Sequence, residues 1–235
     1  MSNRLKEMGQ SKAWHLLVGA ALEGARREGY TLQKLPGRGL SNTYSMNKGN
    51  LTKVASVRTT RDRWIAFPPL MGGTTWKTLN EVSLVLVAAV DDKDNPQCVD
   101  VYLFPADEVR NRFNASYAAR QAAQHTLPDN YGMWVMLDQG DDAYPSQVGH
   151  SLALDYPAIA RFTIDELEKN ISPDVRKLAD DDTPTLEEVA PRDAPEDILP
   201  ALNNVAEVLV FAREKIASLT GMQSTAISLD LKMGM

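Results

Sequence analysis

The chain has 235 residues, 43% of them hydrophobic and 24% charged, which is enough apolar content for a substantial core. No apolar run approaches the roughly 18–20 residues of a membrane-spanning helix, so no membrane partner is expected. The polar start MSNRLKEMGQSK lacks a secretory signal's apolar stretch, and the single Cys98 rules out an intramolecular disulfide, so a cytoplasmic protein is expected.

The net charge of −6 is divided unevenly. Residues 1–80 hold 13 Lys+Arg against 4 Asp+Glu, and the remainder holds 12 against 27. Such a split suits either a basic surface for a polyanion or a basic segment that docks on an acidic one in the same fold.

In chain order, Ser11 is a candidate N-cap for a helix through Glu28, with an apolar stripe of Trp14, Leu17, Val18, Ala21, Leu22 and Ala25 and a stop at Gly29. Residues 35–50 are rich in turn formers and read as loop with a short strand. LTKVASVRTT (51–60) alternates and is β-branched, so a strand is expected, followed by a short one over Arg63–Phe67 that ends at Pro68-Pro69. The run Val82–Val90 is almost wholly apolar and fits a central strand buried on both faces. DDKDNPQ (91–97) then turns the chain into a return strand at Val99–Phe104, completing a hairpin.

A helix follows from Pro105 to about His125, with Val109, Phe113 and Tyr117 on its apolar side. Met133–Leu137 is one more short strand. Thr163 and Glu166 have capping-box spacing for a helix over 164–170, and Ser172-Pro173 opens another. Residues 179–197 form an acidic, proline-rich linker between a core domain (1–178) and a terminal segment (198–235). In that segment Leu202, Val205, Leu209, Ala212, Ile216 and Leu219 make a helical stripe, and Ile227, Leu229 and Leu231 a closing strand. The terminal helix packs on its own domain or pairs with a copy in a homodimer. The expected class is therefore α/β (α+β), with a central mixed sheet flanked by helices and a C-terminal helix-strand appendage.

From Leu51 to Val109 the order is a strand with VRTT, an aromatic strand, a buried strand, a turn, a strand ending in LFPADEV, and a helix. This order resembles the core of the restriction-endonuclease-like PD-(D/E)xK superfamily over roughly residues 12–137. The resemblance implies a metal-dependent nuclease core whose acidic ligands and acid-x-Lys pair hold a divalent ion. The triplet that aligns with that pair is Ser56-Val57-Arg58, and Asn47 and Asn50 stand where an aspartate is wanted. Glu23 is a single remnant carboxylate. The resemblance thus implies a degenerate member, and no catalytic residue, metal or cofactor is assigned.

Lys48, Lys53, Arg58, Arg61 and Arg63 cluster around Trp64 and are the candidate nucleic-acid-binding residues. Arginines can grip phosphates bidentately, and Trp64 can stack on a base or fill the core. The same charges also suit a solvated sheet edge. Asp91, Asp92 and Asp94 lack the glycine and distal glutamate of an EF-hand and read as a hairpin turn. His15, His125 and His150 have no metal-ligand spacing.

The leading expectation is a non-catalytic nucleic-acid-binding or regulatory protein on a degenerate nuclease-like core, with DNA as the partner and the acidic linker competing for its basic surface. The alternative is a protein-interaction module, such as an immunity, inhibitor or anti-defence factor, that uses its acidic surface. A third reading is an active metal-dependent nuclease with unusual ligands.

Overall fold

A computed structural model describes residues 4–36 and 42–170, all within one compact unit of the chain, Met1–Val189. The expected helix after Ser172, the linker, the terminal helix and strand, and any homodimer through them lie outside the described residues.

The chain opens with α1 (Arg4–Glu7) and α2 (Gln10–Arg27), then β1 (Thr31–Lys34), β2 (Thr43–Lys48) and β3 (Leu51–Thr60). A long connection carries β4 (Trp64–Ala66), β5 (Pro69–Leu70), β6 (Thr75–Trp76) and a 3-10 turn at Leu79–Glu81. Next come β7 (Leu84–Val90), β8 (Cys98–Pro105), α3 (Ala106–Ala122) and β9 (Trp134–Met136). The last described elements are α4 (Leu152–Asp155), β10 (Ala160–Thr163) and α5 (Ile164–Asn170). Six strands form one mixed sheet in the order β1-β2-β3-β7-β8-β10. Only β3 and β7 run parallel, with Ala55 opposite Leu84 and Thr60 opposite Ala89. The fold is α/β, as the sequence pattern implies.

All seven residues of β7 are buried. Side chains alternate across a strand, so Leu84, Leu86, Ala88 and Val90 pack with α2, while Val85, Val87 and Ala89 join the second core with Phe104, Val109 and Phe113. Full burial of a leucine side chain contributes roughly 1.5–3 kcal/mol, so this strand anchors both layers.

Helix α2 begins two residues earlier than the Ser11 cap would place it. Gly9 occupies the N-cap with no side-chain hydrogen bond, and Ser11 lies inside the first turn. Its other end matches expectation. Gly29 takes a left-handed φ of 85°, its N–H donates to the Arg26 carbonyl, and the Tyr30 N–H donates to that of Ala25. Within the helix, Gly24 faces β8 so closely that a Cβ would lie 2.8 Å from Val101 Cγ1.

Two strands emerge where the sequence reads as loop or carries no pattern. The strand inside 35–50 is β2, whose Tyr44 and Met46 are buried, and β1 pairs with it at the sheet edge. At the opposite edge β10 pairs with β8. The capping box is present in part: the Glu166 N–H donates to Thr163 Oγ1, while the Glu166 carboxylate accepts from Arg27 instead of turning back to the cap.

The Gly24 contact makes a testable demand. Gly24→Ala should destabilise the protein by about 1–2 kcal/mol in urea unfolding, because the β-branched Val101 cannot yield without strain. In a Val101→Ala background the same change should become neutral or stabilising, since alanine is the better helix former.

Candidate functional site

The five candidate residues lie on or just beyond the β2–β3 hairpin, and strand geometry separates them. Lys48 and Lys53 are exposed near the β2–β3 turn, where the Lys48 ammonium lies 5.1 Å from the Tyr30 ring centre. Arg58 is on the other face of β3, its guanidinium carbon 4.6 Å from the centre of the Phe67 ring. Arg61 and Arg63 follow in the β3–β4 turn. At about 3.3 Å per residue, Lys53 and Arg61 are roughly 25 Å apart. The five therefore do not form one face. Ser56, from the triplet aligned with the nuclease motif, is fully buried and its hydroxyl has no hydrogen-bond partner.

The turn itself is built from short polar side chains. Thr60 Oγ1 donates to Asp62 Oδ1, and the Trp64 N–H is within reach of both the Thr60 hydroxyl and Asp62 Oδ1. This closure leaves Arg63 at a positive φ of 64°, an uncommon conformation for a non-glycine residue. Its side chain consequently points inward.

Arg63 is the centre of a charge network. Its Nε and Nη2 donate to the two oxygens of Asp138 at 2.7 and 2.8 Å, Nη2 also donates to the Tyr102 hydroxyl at 2.8 Å, and Nη1 to the Val90 carbonyl at 3.2 Å. Asp100 lies 3.5 Å from Nη1 and accepts at 2.9 Å from Arg161, which reaches Asp91 at 3.4 Å. Burial would lower the Arg63 pKa, but its hydrogen bonds to Asp138 and Tyr102 outweigh that and raise it. Burial pushes the Tyr102 phenol up. Arg63 is thus committed inside the fold.

Arg61 differs from its neighbours. It is half-buried, burial lowers its pKa, and among the described residues it makes no hydrogen bond or ion pair. Trp64 is half-buried with its ring edge-on to His150, the centroids 5.0 Å apart.

The remaining candidates have structural partners. Buried Glu23 accepts from Arg26 at 2.8 Å through both oxygens and from Arg27 at 3.3 Å. The Arg26 hydrogen bonds, helped by Arg27, outweigh burial and hold its pKa below the usual carboxylate value. In the 91–97 turn, Asp91 Oδ1 accepts the N–H groups of Asp92, Gln97 and Cys98, and Asp92 Oδ1 those of Asp94 and Asn95. Among the described residues, no group of three or more His, Cys, Asp or Glu is placed to hold a metal ion.

No protein-family model, curated protein or solved structure matches the chain.

Sequence reasoning missed Asp100, Tyr102 and Asp138. A signal existed for the first two. In VDVYLF the alternation sets Asp100 and Tyr102 on the face of Phe104, and a carboxylate on a buried face requires a cation. Asp138 carried no such signal, because it meets Arg63 across 75 residues of sequence.

Two measurements follow from these contacts. Arg63→Met should cost about 2–4 kcal/mol in urea unfolding, leaving Asp138 and part of Asp100 without their cation, whereas Asp138→Asn should cost less. Glu23 has a folded pKa below its unfolded one, so its contribution is complete above about pH 5 and disappears as pH falls through the folded value. Glu23→Gln should therefore lower stability at neutral pH and flatten its fall in acid.

Proposed function

We propose that this protein binds nucleic acid, DNA in the first instance, through phosphate contacts at the C-terminal end of β3, with Arg58 and Arg61 as the contacting residues. Arg61 supports this reading most strongly. A half-buried guanidinium with no acceptor among the described residues has lost hydration without a compensating bond there, and a phosphate offers two acceptor oxygens matched to its donor fork. The contrast with other arginines sharpens the point. Arg26, Arg27, Arg63, Arg110, Arg112 and Arg161 all pair with carboxylates. Arg58, three residues earlier, lies over the Phe67 ring with Nη1 donating to the Val57 carbonyl, and would bring its charge near the same turn. Lys48 and Lys53, at the far end of β3, would add only nonspecific attraction, and Arg63 would hold the turn rather than touch the ligand.

A protein-interaction role is the second reading, and one observation favours it. The Gly72 N–H donates to Asp129 and the Asn130 N–H to the Pro69 carbonyl, joining two turns that expose Met71 and Tyr131. Replacing Met71 and Tyr131 by serine would abolish such an interaction and leave nucleic-acid binding intact.

The test is fluorescence anisotropy of the full chain with two unrelated short duplexes over a salt series. Affinity should fall linearly with log salt, and Arg61→Gln should weaken both duplexes alike while reducing the slope by about one. Absence of binding at about 50 mM salt, or an Arg58→Gln, Arg61→Gln double variant that binds like the unmodified chain, would overturn the reading.

A further inference from the structure

The β4–β9 ribbon has an outer face unlike a solvated one. In-register pairing sets Trp64 opposite Met136 and Ala66 opposite Trp134. Alternation sends Ile65, Phe67, Val135 and Leu137 into the α3-side core. Trp64, Ala66, Trp134 and Met136 are left on the other side, each of them partly exposed. Water-facing positions of an antiparallel ribbon are ordinarily polar. None of these four is, so the ribbon presents a continuous apolar face, the kind of surface that marks an interaction site.

Trp64 is the member of this face nearest a free charge, three residues beyond Arg61. Its backbone is fixed by Thr60 and Asp62, and its indole meets the His150 ring at 88°. Trp134 is held against its own turn, since a Cβ on Gly132 would lie 2.4 Å from its Cζ2. It therefore serves as apolar floor, and Trp64 is the ring placed beside the guanidinium.

Charge decides which nucleic acid such a face suits. The described residues carry 18 Lys+Arg and 19 Asp+Glu, so no broad cationic surplus is available for the two phosphate strands of a duplex. Asp141 and Asp142 are exposed just beyond β9 and repel a wide polyanion. Reading a duplex also takes polar side chains on base edges, which the ribbon face lacks. A single strand offers open base faces that stack on aromatic rings, and its affinity needs fewer phosphate contacts. Resting on the nucleic-acid reading above, we propose that the ligand is single-stranded DNA, with a base stacked on Trp64 and the adjoining phosphate held by Arg61. Arg61 then sets the salt dependence and Trp64 the dependence on bases.

The test is fluorescence anisotropy of the full chain at about 50 mM salt with three labelled probes of equal length. They are a thymidine strand, the same strand paired with its complement, and an abasic sugar-phosphate strand. The thymidine strand should bind about tenfold more tightly than either of the others. Trp64→Leu should remove that preference while leaving the affinity for the abasic strand and the salt slope unchanged. Trp64→Phe, which keeps an aromatic face, should retain most of it.

Three results overturn the proposal: a duplex bound as tightly as the thymidine strand, an abasic strand bound as tightly, or a folded Trp64→Leu variant with the full preference. The first two are read on the unmodified chain and do not depend on a variant's folding. If any of the three occurs while duplex binding still depends on Arg61, phosphate contact at the end of β3 stands and only the single-strand assignment fails. No binding of any probe overturns both.

Discussion

Strand β7 sets the terms for everything around it. It has no polar side chain, so water on either face would be unfavourable, and the fold must supply apolar cover twice. One cover is α2, whose buried Gly24 and alanines let it lie close to the sheet. The other is the α3 layer with Phe67, Phe104 and Phe113. Because β7 runs parallel to β3, the chain between them cannot turn back in a tight hairpin and must cross over. That crossover starts at Arg61. The position of the candidate arginines at the end of β3 is thus a consequence of how the central strand is paired.

The same end of the sheet is closed by charge. Alternation along β8 places Asp100 on the buried α3 face, and in-register pairing brings Arg161 of β10 opposite it. Arg63 reaches the same carboxylate from the β3–β4 turn and Asp138 from beyond β9. Desolvation offsets much of the Coulomb attraction in such a network, so its main effect is to fix which segments meet. It accounts for the left-handed backbone at Arg63, since a relaxed φ would carry the guanidinium away from Asp138. The unfavourable conformation is tolerated because five hydrogen-bonding contacts determine it.

Elements with strong periodicity or strong apolar content were legible in the sequence. The α2 stripe, the β7 run, the β7–β8 hairpin and α3 all have boundaries within a few residues of those the pattern implies. Edge strands were not. TLQK in β1 and ARFT in β10 are short and mostly exposed, so neither alternation nor hydrophobicity marks them, and only their neighbours' unpaired backbone groups recruit them. The Ser11 cap failed for a related reason, because Gly9 starts the turn two residues earlier and the local signal could not resolve the two. At the candidate site, the cluster of basic residues was visible, but their division between two faces and two ends of β3 was not. Strand alternation could have predicted that Lys53 and Arg58 oppose each other. The inward turn of Arg63 depends on a partner far along the chain.

The charge asymmetry acquires a different meaning in three dimensions. The described residues carry 18 Lys+Arg and 19 Asp+Glu, so this part of the chain is nearly neutral. Two arginines of its basic N-terminal stretch meet acids from later in the sequence: Arg27 pairs with Glu166, and Arg63 with Asp100 and Asp138. Complementarity within the fold therefore explains part of the split without any external polyanion. A bulk surplus is weak support for a ligand, whereas a polar group left unsatisfied after the fold has made its pairings is strong support. Arg61, half-buried and with no hydrogen bond or ion pair among the described residues, comes nearest to such a group, and Trp64 three residues on packs edge-on against His150. Arg61 lies in the crossover, whose strands are two or three residues long, and segments with few backbone ladders have few internal partners to offer. That is also where a ligand can supply the missing ones.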